Sequence, residues 1–111
     1  MTAPLVLVPR TLPAPSLPGG AMLVHFHTAF DAAISLRATD APAILVTDGL
    51  DAEDLDSLAA AIRERTGTCI EVRMAGWDGE TQSPVSGACR GVISGFGPAG
   101  ITRAVELLSR G

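Results

Sequence analysis

The sequence predicts one α/β domain, with a mostly parallel sheet and helices packed on it. The chain has 111 residues, which is enough for one domain. Its composition, 47% hydrophobic and 18% charged, is sufficient for a buried core without disulfide bonds. Short apolar segments also alternate with segments of helical periodicity, in the order βα-βα-β-loop-βα.

The first 20 residues differ in composition from the rest of the chain. They contain five of the eight prolines and end in Gly19 and Gly20. Because proline lacks a backbone donor, this segment is predicted to be an extended proline-rich arm, 1–20. The apolar run 5–8 could instead pair at a sheet edge. Residues 21–111 are predicted to form the α/β domain.

Two strands and one ambiguous segment begin that domain. Met22–Phe26 is short and apolar, as in a strand. Residues 28–38 have helical spacing, although strand-like alternation in part of the segment leaves both structures open. Residues 43–47 form a continuous apolar run, which is typical of a parallel strand covered on both faces.

A helix is predicted over residues 51–65. Asp51 is suited to cap it, and Leu55, Leu58 and Ile62 form one apolar stripe. The acidic residues in its first turn are interpreted as a solvated helix start that the helix dipole favours, rather than as a metal site.

The remaining elements end in a glycine-rich turn. Residues 69–74 alternate between apolar and polar, which predicts a strand with one polar face. A loop follows over 75–84, then a strand around 88–93. The closing helix follows the glycine-rich stretch 95–100.

Composition excludes several chemistries. All eight basic residues are arginine, and the chain has no Lys, Tyr or Asn, which excludes Schiff-base lysines, tyrosine acids and a P-loop lysine. The formal charge of −4 and the pI near 4.9 argue against nucleic acid as a partner. No apolar run is long enough for a membrane span, so a cytoplasmic location with reduced thiols is expected.

No metal site is predicted. Cys69 and Cys89 lie twenty positions apart and form no CxxC pair. His25 and His27 have a spacing that metals use, but no third ligand accompanies them, and they are interpreted as surface or packed histidines.

The glycine-rich turn carries the main candidate site. A strand, a glycine turn and a helix in succession direct unpaired N–H groups and the positive end of the helix dipole at one point. Such a point attracts an anion without any side chain. The predicted ligand-binding residues are Gly95, Phe96, Gly97 and Gly100.

Residues 83–97 resemble the Pro-Val…Ala…Gly…Gly-x-Gly segment of the enoyl-CoA hydratase/isomerase (crotonase) superfamily. The resemblance covers about residues 43–108 and implies a crotonase-like β-α-β-β-α order. It also implies homo-oligomers and an acyl-CoA or other thioester ligand. In this family two backbone N–H groups hold the thioester oxygen.

The resemblance assigns roles to particular residues. One N–H would come from Phe96, the other from a residue near Ala75, Gly76 or Trp77. Ala99 occupies the place of the family's usual glutamate acid, which leaves Asp78 and Glu80 as the acid/base candidates.

Two alternative functions remain open. Residues 95–100 also resemble the GxGxxG fingerprint of flavoproteins and NAD enzymes, which implies a nucleotide- or flavin-binding unit. The chain could also be a non-catalytic α/β subunit, either of a homo-oligomer or of a larger protein complex.

Overall fold

Five parallel strands form the centre of the protein, in the order β2-β1-β3-β4-β5. The computed structural model describes residues 3–12, 17, 21–75 and 84–109. The strands are β1 Leu5–Pro9, β2 Met22–Phe26, β3 Ala43–Val46, β4 Cys69–Arg73 and β5 Gly91–Ser94. The helices are α1 Ala29–Ala38, α2 Ala52–Glu64, α3 Pro84–Ala88 and α4 Ala99–Ser109. This confirms the predicted α/β class and parallel sheet.

Strand β1 lies at the interior of the sheet, which corrects the prediction of an arm over residues 1–20. It pairs with β2 on one side and with β3 on the other, and all five residues are buried. An uninterrupted apolar run is what a strand covered on both faces requires. The prolines are compatible with this because Pro4 precedes the strand and Pro9 ends it.

Two layers cover the sheet. One face packs against α1, α2 and α3 around Leu7, Leu36, Leu45 and Leu58. The opposite face packs against α4, and Ile101 is fully buried there.

Three described residues between β1 and β2 lie on the same face of the sheet as α4. Leu12, Leu17 and Ala21 pack against the core on that face. Strand β2 lies on one side of β1, and the later strands extend the sheet on the other. Right-handed connections that run in opposite directions along a parallel sheet lie on opposite faces. The positions of Leu12, Leu17 and Ala21 agree with this rule.

Polar contacts determine where α1 and α2 begin and end. Residues 29–38 form a helix rather than a strand, and the Thr28 hydroxyl accepts a hydrogen bond from the Asp31 amide at 3.2 Å. Asp51 caps α2 as predicted, accepting from the Asp54 amide at 2.8 Å. The Arg65 guanidinium donates to backbone carbonyls of Leu36, Thr39, Ala41 and Thr68.

Two local predictions were wrong. Strand β4 has no polar face, since the Glu71 side chain is fully buried. Its carboxylate forms hydrogen bonds inside the fold, so this polar residue does not indicate a solvent-exposed face of the strand. The last strand begins at Gly91 rather than near residue 88, because residues 84–88 form the short helix α3.

Candidate functional site

A crevice opens at the carboxyl end of the sheet, between β1 and β3. Their ladder ends at the pair Leu7 and Leu45, while β1 continues beside β2 as far as Pro9. The order of strands reverses at this point, because β2 and β3 lie on opposite sides of β1. In open α/β sheets, ligands bind at such a reversal, beyond the carboxyl ends of the strands.

The crevice forms a cavity of about 420 Å³. Residues from β1, β2, β3 and α2 and their loops line it: Pro9, Arg10, Thr11, Leu12, Phe26, His27, Asp48, Gly49, Leu50 and Asp54. Phe26 is buried, and Leu12 and Leu50 are half-buried. The cavity therefore combines an apolar part with a cationic, an imidazole and two carboxylate side chains.

Arg10 and His27 are paired at the mouth of the crevice. The Arg10 Nη1 lies 3.1 Å from the His27 Nδ1, and both residues are exposed. Because guanidinium groups only donate, Nδ1 is the acceptor and the proton of a neutral ring lies on Nε2. Nε2 of that ring presents a donor, and among the described residues His27 is the hydrogen-bond partner of the Arg10 side chain.

The Asp48 carboxylate accepts hydrogen bonds from backbone amides, so its role in this structure is structural. Its Oδ1 accepts from the Met74 amide at 2.7 Å and its Oδ2 from the Ala75 amide at 3.0 Å. Asp48 lies in a turn closed by the Leu50 amide on the Thr47 carbonyl at 3.3 Å. Gly49 has φ +79 in this turn, a conformation that favours glycine. Asp48 therefore links the end of β3 to the end of β4.

A buried polar cluster is centred on a side chain of β4. The Glu71 carboxylate accepts from the Thr47 hydroxyl and the Ser86 hydroxyl, each at 2.6 Å. Arg73 also donates to it at 3.3 Å. The carboxylate has hydrogen-bond partners on both oxygens, which makes it a structural link between β3, β4 and α3.

The glycine-rich turn has most of its amides occupied. The Gly95 and Gly97 amides donate to the carbonyls of Arg73 and Met74, at 3.1 and 2.9 Å. The Gly100 amide donates to the Gly97 carbonyl at 3.0 Å, and the Phe96 side chain is 67% exposed. A ligand at this turn would have to replace those bonds, so binding at these four residues stays a prediction.

The other predicted site residues are not tested by the described part of the chain. Gly76, Trp77, Asp78 and Glu80 lie outside the described residues. His25 is exposed on β2, and within the described part of the chain no group of three His, Cys, Asp or Glu side chains could hold a metal. None of the helices described here is long and apolar enough to cross a membrane.

Comparison with known proteins gives a structural match only. No protein-family model and no curated protein sequence matches the chain. Its fold is similar to the crystal structure of type II dehydroquinase from Propionibacterium acnes, with a TM-score of 0.79 and 16% sequence identity. The match covers 98% of this chain and 98% of that one. At this identity the likeness shows the fold, a five-stranded parallel α/β sheet in flavodoxin-like order.

This match shows that the crotonase resemblance, and the acyl-CoA function based on it, were wrong. Along the chain α3 lies between β4 and β5, so the predicted β-α-β-β-α order is not confirmed. The Pro-Val…Gly-x-Gly spacing of residues 84–97 corresponds to a short helix, an edge strand and a tight turn. Such a backbone pattern recurs in many α/β folds, so it does not identify a ligand.

Sequence reasoning missed Arg10 because the predicted arm included it. The available signal was the buried-strand character of residues 5–8, directly followed by a polar segment. A polar residue immediately after an inner parallel strand lies at the edge where α/β proteins bind ligands.

Proposed function

We propose that this domain binds a small hydroxylated carboxylic acid in the crevice between β1 and β3, with Arg10 as the partner of the carboxylate. The observation that carries the proposal is the exposed guanidinium where the strand order reverses. It lines the same cavity as several apolar side chains. A guanidinium matches the two oxygens of a carboxylate with two parallel N–H donors.

The Arg10 guanidinium is the positive charge that this cavity offers to an anion, and the Asp48 and Asp54 carboxylates line the same cavity. Within the described residues no carboxylate lies at ion-pair distance from Arg10, and its hydrogen bond goes to an imidazole nitrogen. By contrast, Arg37 and Arg73 are paired with Glu64 and Glu71. Arg10 therefore provides a positive charge that the described structure leaves uncompensated.

The rest of the cavity is suited to a hydroxylated carbon frame. Asp54 accepts hydrogen bonds and the His27 Nε2 donates one, whereas Phe26, Leu12 and Leu50 provide apolar contact. The volume of about 420 Å³ lies near the lower end of the range for small-molecule sites, about 300–1,000 Å³. Because the similar solved structure is a dehydroquinase, dehydroquinate is the first probe to test.

The test is calorimetric titration with dehydroquinate and with simpler hydroxy acids, on the wild type and on Arg10→Gln. Losing a charge-assisted hydrogen bond costs about 1.5–3 kcal/mol, so affinity should fall about 10- to 150-fold. Arg63→Gln is the matched control, since Arg63 is an exposed arginine on α2. If Arg10→Gln binds the probes as well as the wild type does, or if no hydroxy acid binds, the proposal is wrong.

Assembly and location follow as further expectations. Edge strand β2 exposes Met22, and α1 exposes Phe30 and Ile34, with exposed fractions of 61%, 71% and 50%. These apolar side chains support the predicted homo-oligomer or complex subunit. Light scattering after gel filtration measures the state of the isolated chain. The cytoplasmic location stays a prediction.

A further inference from the structure

The two cysteines, distant in sequence, are neighbours in the fold. Cys69 is the first residue of β4 and 3% exposed, while Cys89 follows α3 and is half-buried. The Arg90 amide donates to the Cys69 carbonyl at 2.9 Å, which holds the residue after Cys89 against β4. Cys69 belongs to one of the two core clusters, and the partly buried Cys89 side chain packs against the same cluster.

We propose that Cys69 and Cys89 form a reversible disulfide, which makes this pair an oxidation site that links the beginning of β4 to the segment before β5. Both thiols are free in this structure, so the pair is in its reduced state. The chain offers no alternative partner, because these are its only two cysteines.

The oxidant is a small disulfide such as glutathione disulfide. The Cys89 thiolate attacks one sulfur of the oxidant, which forms a mixed disulfide and releases one glutathione thiolate. Cys69 then loses its proton to solvent and attacks the Cys89 sulfur, which releases the second glutathione. Two protein thiols are oxidised to one disulfide, and one glutathione disulfide is reduced to two glutathiones.

The two thiols differ in burial, and this difference indicates which of them reacts first with the oxidant. Cys89 is half-buried and Cys69 is 3% exposed, so Cys89 is the thiol that meets the oxidant first and Cys69 is the resolving thiol. The hydrogen bond with Cys69, burial, and repulsion from Cys69 and Glu71 together raise the pKa of Cys89. At a pH far below its pKa, a thiol reacts through the small fraction that is present as thiolate. Because that fraction rises about tenfold per pH unit, the rate of disulfide formation should rise by the same factor.

Closure would stabilise the part of the fold that contains α3. The bond would enclose residues 69–89, including Ser86, which donates to the buried Glu71. A disulfide that closes a loop of this size restricts the unfolded chain, and Tm should rise by roughly 10 °C.

The experiment incubates the native 111-residue chain with glutathione disulfide from pH 7 to 9 and follows intact mass. The wild type should lose two hydrogens and gain no glutathione. Cys69→Ser should instead retain one glutathione on Cys89, and Cys89→Ser should remain unmodified under the same conditions. Dithiothreitol should restore the original mass and Tm of the wild type.

Three results would overturn the proposal. The first is a wild type that keeps its reduced mass at pH 9. The second is a wild type that accumulates the glutathione adduct without closing. The third is closure at equal rates in buffer and in denaturing urea with no change in Tm, which would show that the native fold does not bring the thiols together.

Discussion

The crevice between β1 and β3 and the glycine-rich turn before α4 both lie at the carboxyl end of the sheet, yet they differ in which groups they leave open. At the turn, the amides of Gly95, Gly97 and Gly100 donate to nearby carbonyls. At the crevice, the ladder between the strands has ended and Arg10 and His27 are exposed. The glycine-rich motif therefore indicates a backbone turn, whereas the reversal of strand order leaves a crevice in which a ligand can bind.

The two regions are connected through β4. Asp48, from the crevice, binds the amides of Met74 and Ala75, and Met74 in turn accepts from Gly97 at the turn. Substitutions along this connection can show whether the turn serves packing while the crevice serves binding.

The largest effect is expected for Glu71→Ala. This change removes a fully buried carboxylate and leaves the Thr47 and Ser86 hydroxyls and Arg73 without their shared acceptor. Breaking a buried charged network costs about 3–5 kcal/mol of unfolding free energy. Urea denaturation measures the loss. Glu106→Ala, at an exposed position on α4, is the control and should cost little.

A smaller loss of stability is expected for Gly100→Val. A Cβ at this position would lie 3.2 Å from Val72 Cγ1 and 3.4 Å from Ile93 Cγ2, so the added methyl groups overpack the core. The cost should be about 1–3 kcal/mol, with hydroxy acid affinity retained. Gly91→Ala, whose Cβ meets nothing within 4 Å, is the matched control. If folded Gly100→Val loses its affinity for hydroxy acids, the ligand binds at the glycine-rich turn rather than in the crevice.

Asp48→Ala should cost about 1–2 kcal/mol, because two backbone amides lose their acceptor at a half-buried site. Hydrogen exchange should accelerate at the Met74 and Ala75 amides. Asp56→Ala, at an exposed position on α2, should leave both amides protected as in the wild type. Unchanged exchange in Asp48→Ala would mean that Asp48 does not link the two regions.

The smallest effect is expected for Phe96→Ala. Because the side chain is 67% exposed, its removal should change the unfolding free energy by less than about 0.5 kcal/mol. Calorimetric titration should give wild-type affinity for the hydroxy acids. A folded variant with markedly weaker binding would show that the turn contributes to the ligand site after all.

Local patterns predicted the elements better than the site. The Asp51 cap and the stripe of Leu55, Leu58 and Ile62 identified α2, since capping and helical periodicity act within a few residues. Glu71 was assigned to a polar face because its partners Thr47 and Ser86 lie 24 and 15 positions away. Local alternation carries no information about partners at that distance.

By itself the sequence determined the α/β class, the apolar runs of the parallel strands, and the boundaries of α2, because these depend on propensity, periodicity and caps along a short stretch. The tertiary structure alone decided that β1 lies inside the sheet, that Arg10 and His27 meet across 17 positions, and that two distant cysteines become neighbours. Those outcomes depend on which strands pair. Strand pairing is settled by burial of both faces of the whole sheet, and no single segment specifies it.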